Sequence, residues 1–185
     1  MASTAPAAAV IMAAGKGTRM RSAVPKVLHT IGGRSLLDHA VAAARGLRPD
    51  HLVVVVRHER DAVVAHLSEV APDAVAADQD ETPGTGRAVA CGLASLPEDL
   101  AGPVVVTSGD VPLLDTATLR ALLAQHVERG DAVTLLTTVL DDPTGYGRVV
   151  READGTVSAI VEQRDASPEQ RAITEINAGV YVFDA

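Results

Sequence analysis

Between residues 12 and 26 this chain gathers glycines and cations on one short connection. The run Met12-Ala-Ala-Gly-Lys-Gly-Thr-Arg-Met20 follows the apolar stretch Ala8-Ala9-Val10-Ile11, and Pro25-Lys26 comes five residues later. A backbone that must lie close against a polyphosphate needs glycine, because a Cβ would block the approach or forbid the required φ. The phosphate charge then calls for cations such as Lys16, Arg19 and Lys26 on the same loop. The run is not a P-loop, which would need glycine at Val10 and Ser or Thr at Gly17, nor a dinucleotide fingerprint, which would need glycine at Met20. A tight strand-to-helix turn explains the glycines alone; the cations and Pro25-Lys26 favour a nucleotide site.

Two more segments carry chemistry. In Ser108-Gly-Asp-Val-Pro112, Asp110 lies just past an apolar run, where its carboxylate could offer a hard oxygen to Mg²⁺ shared with phosphate or could simply start a turn. Gly84-Thr-Gly-Arg-Ala opens a predicted helix over 85–96, whose free amides suit an anion or a heterocycle edge, although the glycines would equally let a strand become a helix. Gln79, just upstream, has a donor and an acceptor on one amide and could read a base or lie solvated in a loop. The six histidines show no metal-ligand spacing and read as surface or packing residues; Cys91 reads as a small buried residue.

These segments must be positioned by an α/β fold. Strands are predicted at 8–13, 52–56, 103–107 and 132–140, as continuous apolar runs that suit a parallel sheet covered on both faces. Between them, Leu36, Leu37, Ala40, Val41 and Ala44 share one helical face, and Val63, Leu67 and Val70 another. A further helix takes Asp115 as N-cap, Leu119, Leu122, Leu123 and Val127 as its apolar face, and Gly130 as its stop. The βαβα order implies right-handed crossovers and ligands at the carboxyl ends of the strands. The connection from Gly15 to Gly33 lacks periodicity, as functional loops often do. Beyond residue 145 the pattern turns to a hairpin, Arg148–Ala153 and Thr156–Glu162 about Asp154-Gly155, and a last strand over Ile176–Phe183. Residues 1–7 read as a disordered tail, 8–185 as one domain, and the abrupt end as part of something longer.

Composition narrows the function classes. At 185 residues the chain has the length of one domain, and its net charge of −8 argues against a nucleic-acid backbone as partner. With one Phe, two Tyr and no Trp it lacks stacking platforms for single strands. No apolar run approaches the roughly 18 residues of a membrane span. The single cysteine excludes an intramolecular disulfide and fits a reducing cytoplasm.

Taken together, Gly15-x-Gly-Thr-Arg-Met-x4-Pro25-Lys26, Gly84-Thr-Gly86 and Gly109-Asp110 resemble the sugar-nucleotidyltransferase superfamily. Ala13-Ala14-Gly15, Pro25-Lys-Val-Leu-His29, Asp141-Asp-Pro-Thr-Gly-Tyr-Gly-Arg148, Val161-Glu162 and Glu175-Ile-Asn177 are more closely similar to one branch of it. That branch is the uridyltransferase domain of the bifunctional N-acetylglucosamine-1-phosphate uridyltransferase/glucosamine-1-phosphate acetyltransferases, and the likeness spans residues 8–185. It implies a three-layer, Rossmann-like nucleotidyltransferase fold with a mostly parallel central sheet and a β-hairpin in the sugar-binding half. It also implies Mg²⁺-dependent transfer of UMP from UTP to N-acetylglucosamine 1-phosphate, a step of cell-wall precursor synthesis that releases pyrophosphate.

By the same resemblance, Met12, Ala13, Ala14 and Gly15 would hold the uridine and Gln79, Gly84 and Thr85 the uracil, with Ser108 and Gly109 beside them. Arg19 and Lys26 would be the catalytic cations on the triphosphate, Asp110 would bind Mg²⁺, and Gly147, Glu162 and Asn177 would hold the amino sugar. The chain departs from the family pattern at Met12, usually Leu, and at Arg87, commonly His. The family's second Mg²⁺ ligand, an Asn, and its left-handed β-helix acetyltransferase domain have no counterpart here. Since that β-helix builds most of the family's trimer, a monomer is expected of this piece and an oligomer of the full-length protein. Competing expectations are a thymidylyl or guanylyl enzyme using dTTP or GTP, and a nucleotide-sugar-binding fragment without turnover.

Overall fold

A computed structural model describes residues 5–17 and 20–185 of the chain. The chain divides into two compact units. The first is formed from Met1–Thr134 and Tyr181–Ala185, the second from Leu135–Val180.

The first unit begins with β1 (Ala8–Met12). The connection that follows holds a 3-10 turn (Lys26–Leu28) and a small hairpin, β2 (Thr30–Ile31) and β3 (Arg34–Ser35). Then come α1 (Leu36–Arg45), β4 (His51–Val56), α2 (Arg60–Val70), β5 (Val75–Asp78), α3 (Thr85–Leu93), β6 (Pro103–Ser108) and α4 (Thr116–Arg129). β5, β4, β1 and β6 lie side by side in that order, all parallel. Tyr181–Asp184, the end of β10 (Glu175–Asp184), closes this set antiparallel to β6.

The apolar runs are continuous because both faces of these strands are covered. Ala9, Ile11, Leu52, Val54 and Val56 pack with Leu37, Ala40, Val41 and Ala44 of α1 and Val63 and Leu67 of α2. The alternate residues Ala8, Val10, Val53, Val55, Val104 and Val106 pack with Ala88 of α3. Register keeps the two sets apart: Val10 sits opposite Val53 and Val106, as period-two strands require. α3 comes unusually close to the sheet, since a Cβ on Gly92 would stand 2.9 Å from both Val10 Cγ1 and Val55 Cγ2.

Local signals account for the helix ends. Ser35 and Asp38 form a capping box on α1, with Ser35 Oγ accepting from Asp38 N at 3.0 Å and Asp38 Oδ2 from Ser35 N at 3.2 Å. Asp115 caps α4 through Thr118 N at 2.8 Å, and Gly130, at φ +62°, ends it. On α4 the expected face needs one correction. Val127 is 45% exposed, whereas His126 is buried and hydrogen-bonds Thr134 Oγ1 at 3.0 Å. Seven residues beyond Leu119 the helix is back within about 20° of the same face, and eight residues is about 80° away. Cys91 is only partly buried, not the buried residue expected. β5 was not anticipated from its sequence, Val-Ala-Ala-Asp, which is short, weak in β-formers and buries only Ala77. The helix expected over 85–96 stops at Leu93. The segment expected to be a tail ends in contact with the sheet: Ala7 donates to Pro103 O at 2.8 Å and accepts from His51 N at 3.2 Å.

The second unit contains most of β7 (Val133–Val139), β8 (Arg148–Arg151), β9 (Val157–Val161), α5 (Pro168–Arg171) and the start of β10. β8 and β9 form the predicted hairpin, with Val149 opposite Ile160 and an irregularity after Val150. Gly155 turns at φ +85° while Asp154 Oδ1 accepts from Thr156 N at 2.9 Å. β10 pairs with β8 at Ile176–Arg148.

Candidate active site

In the first unit, the carboxyl ends of the parallel strands open onto a cavity of about 360 Å³. Its walls include Met12, Ala14, Gly15 and Lys16 after β1, Gln79 after β5, Gly84 and Thr85 at the start of α3, and Ser108 at the end of β6. With β6 directly beside β1 and β5 reached through β4, the sheet brings together residues 12–16, 79–85 and 108, as the rule for open α/β sheets leads one to expect. Ala13 is buried beside this wall and donates its N–H to Val55 O at 2.8 Å. Gly84 precedes α3 at φ +122°, a conformation open to glycine, so the first amides of the helix lie bare of any Cβ before them. Gln79 is held by its own loop: Nε2 donates to Thr82 O at 2.9 Å and Gly84 O at 3.4 Å. With both donor contacts turned inward, the amide oxygen is the group left for a ligand.

Beside the cavity, Asp110 and Lys26 form an ion pair. Sequence reading gives them separate tasks, on a metal and on phosphate; the fold places them in contact across 84 residues. The other oxygen of Asp110 accepts the Ser108 hydroxyl at 2.5 Å. Burial alone would raise the Asp110 carboxyl, but the Lys26 and Ser108 hydrogen bonds and the Lys26 charge outweigh it and hold the group below its ordinary value. Gly109 donates to Met12 O at 2.9 Å, and a Cβ there would stand 3.3 Å from Val27 and 3.4 Å from Leu37. This close seam joins the β6 end to the turn that carries Lys26. Gly17, at φ +61°, faces the same lysine so closely that a Cβ would lie 2.6 Å from Lys26 Cβ. Arg19 lies outside the described residues.

The three residues assigned to an amino sugar are gathered in the second unit. Asn177 N donates to Gly147 O at 2.9 Å, and a Cβ on Gly147 would come 3.3 Å from Glu162 Oε1. Asn177 Oδ1 accepts from Gly179 N at 3.0 Å. Nearby, Arg151 pairs with Glu175 at 2.6 Å. The Arg151 hydrogen bonds, a Thr137 hydroxyl and the Arg151 charge overcome burial and lower the Glu175 carboxyl from 4.5 to about 2.

Sequence reading missed Arg57 and His58, which line the cavity at the end of β4. Their place just after a buried apolar strand is the signal that could have found them. Arg57 Nη2 donates to Glu81 O at 3.0 Å. Arg87, the departure noted beside Gly84-Thr-Gly86, turns to Asp80 in an exposed ion pair. Among the described residues no three His, Cys, Asp or Glu side chains cluster as a metal site, and no helix is long and apolar enough to cross a membrane.

A Rossmann-like sheet bearing a glycine-and-cation loop, a helix N-terminus and a lone half-buried aspartate at its carboxyl edge defines a nucleotidyltransferase. The chain belongs to the MobA-like NTP transferase domain family, which matches residues 9–172. It is 58% identical over 180 residues to the Bifunctional protein GlmU of Kineococcus radiotolerans, covering 97% of this chain and 36% of that protein. To the Bifunctional protein GlmU of Clavibacter sepedonicus it is 59% identical over 178 residues, covering 96% and 36%. The chain thus spans little more than a third of the length of these curated relatives. A solved UDP-glucose pyrophosphorylase complexed with UDP-glucose shares its fold, with a TM-score of 0.72 at 16% identity over 95% of this chain and 75% of that one. The family resemblance read from the motifs is borne out, as are the fold class and the nucleotidyltransferase assignment.

Proposed function

We propose that the chain transfers UMP from UTP to N-acetylglucosamine 1-phosphate in the cytoplasm, with Mg²⁺. The observation that carries this reading is the cavity formed by Met12–Lys16, Gln79, Gly84 and Thr85 with the Lys26–Asp110 pair beside it. The identity to GlmU proteins supports the choice of uridine and amino sugar. Gln79, with its Nε2 held by Thr82 O, presents an acceptor that suits the imide N–H of uracil. Gly147, Glu162 and Asn177 would bind the amino sugar.

In the reaction a phosphate oxygen of the sugar phosphate attacks the α-phosphorus of UTP. The new P–O bond forms as the bond to the β-phosphate oxygen breaks, and pyrophosphate leaves with that electron pair. The nucleophile belongs to the substrate, so positioning and charge neutralisation suffice and no serine or cysteine is required. Lys26 would grip the triphosphate once a bound nucleotide competes for it with Asp110. Arg19 would share that charge.

The donor set fits Mg²⁺. Asp110 is a hard, ionised oxygen donor, and this ion is commonly held by one or two carboxylates together with substrate phosphates and water. The metal would orient the triphosphate and spread its negative charge.

The test is pyrophosphate release with N-acetylglucosamine 1-phosphate and each of UTP, dTTP, CTP and GTP, across a Mg²⁺ titration. Turnover selective for UTP supports the reading. Preference for dTTP or GTP replaces the uracil assignment, and binding of UDP-N-acetylglucosamine without turnover reduces the chain to a binding module.

A further inference from the structure

Arg148 is the largest fully buried side chain among the described residues, at 1% exposure, and it follows Gly147 directly into β8. No acidic side chain lies within ion-pair distance of it among the described residues. Its two terminal nitrogens donate to neutral oxygens: Nη1 to Tyr146 O, and Nη2 to Gln163 Oε1 at 2.6 Å and Arg171 O at 3.5 Å. Nε is buried without a partner. Asp142 feels its charge only from beyond ion-pair distance, so the cation is desolvated without a direct ionic partner, and an apolar residue of similar volume usually serves stability as well or better. Fold stability alone is therefore a poor account of an arginine here.

Its three acceptors come from three segments that frame one spot. Tyr146 precedes Gly147; Gln163 follows Glu162 by one residue; Arg171 ends α5. Gln163 Oε1 also accepts from Gly145 N at 3.4 Å, so the amide is shared between the guanidinium and the turn. Gly147 in turn holds Asn177 through its carbonyl at 2.9 Å. The spacing has little slack, because a Cβ on Gly147 would stand 3.1 Å from Ile160 Cγ2.

We propose that Arg148 is the positioning residue of the acceptor site: through Tyr146 O and Gln163 Oε1 its planar fork fixes Gly147 and Glu162 relative to one another, and so sets affinity for the sugar phosphate. Lysine cannot replace it, since an ammonium lacks the fixed fork that spans two acceptors. The inference rests on the acceptor half of the function proposed above.

The test compares Arg148→Lys, Gln163→Ala and Gln163→Glu in the intact chain, with steady-state KM for each substrate. Arg148→Lys and Gln163→Ala should each raise KM for N-acetylglucosamine 1-phosphate about tenfold, with KM for UTP within twofold. Gln163→Glu keeps the acceptor and should restore the wild-type sugar KM. The Arg148→Lys/Gln163→Ala double variant should lose no more than the worse single one. If Arg148→Lys does not fold, the two Gln163 variants carry the comparison. An unchanged sugar KM with only a lower melting temperature overturns the proposal, as does a parallel rise in both KM values. Should the wild-type chain turn over no sugar phosphate, the function proposed above falls. Amide hydrogen exchange then decides the role of Arg148. Gln163→Ala should speed exchange at the Asn177 N–H at least tenfold, and unchanged protection overturns the proposal.

Discussion

Replacing Gly17 by alanine should separate the cost of backbone strain from the cost of moving Lys26. Gly17 sits at φ +61°, where an L side chain costs about 1–2 kcal/mol. For a chain of this size that is a fall in melting temperature of roughly 2–8 °C. The second effect is local. The new Cβ would lie 2.6 Å from Lys26 Cβ, whereas carbons pack best at about 3.5–4.0 Å, so the two segments must part by about 1 Å. If Lys26 grips the reacting phosphate as proposed, a displacement of that size costs on the order of 100-fold in rate.

Gly32 is the matched control, because it turns at φ +58° with nothing within 4 Å of where its Cβ would be. Gly32→Ala should therefore show the strain cost alone and melt no lower than Gly17→Ala, which also carries the clash, while kcat/KM for UTP and sugar phosphate, followed by pyrophosphate release, drops about 100-fold only in Gly17→Ala. If the two variants have rates within threefold of each other, the close approach of Gly17 to Lys26 has no catalytic meaning and the placement of the phosphate site is wrong.

Other outcomes follow from the same geometry. Lys26→Ala should lower the rate by orders of magnitude. Its melting temperature should change little, because Asp110 keeps the Ser108 hydroxyl; a rate near wild type would remove Lys26 from phosphate binding. Asp110→Asn should raise the Mg²⁺ concentration needed for half-maximal rate, and an unaltered titration would leave the carboxylate as a turn residue. Glu175→Gln should destabilise the chain by about 1 kcal/mol near neutrality, a value discounted for the solvent around the half-exposed Arg151. The folded carboxyl lies below its ordinary value, so its stabilisation is present above about pH 4.5 and fades as pH falls toward 2. Wild type and variant should therefore converge in acid, and a difference that does not vary with pH, read by urea unfolding at several pH values, would refute the pairing.

The sequence by itself determined the central strands of the sheet. Val-rich runs at 52–56 and 103–107 leave little choice but strands covered on both faces, since so many β-branched residues in sequence cannot be half solvated. Asp115 and Gly130 fixed the ends of α4, and Asp154-Gly155 the hairpin, because capping and tight turns are decided by neighbouring residues. Gly15, Gly84-Thr85 and Asp110 were legible as candidate site residues for a similar reason: special backbone conformations and hard oxygen ligands restrict residue type, and the fold places them at or beside one cavity.

Only the tertiary structure decided which of these groups meet. That Lys26 pairs with Asp110, that Arg57 and His58 line the cavity at the carboxyl ends of the strands, and that a buried guanidinium donates to Gln163 all depend on strand order and on loops crossing long stretches of sequence. β5 and the short β2–β3 hairpin were hidden because their pairing energy comes from partners across space rather than from their own residues. Local interactions are written along the chain, whereas charge pairing and burial exist only once the chain has closed on itself.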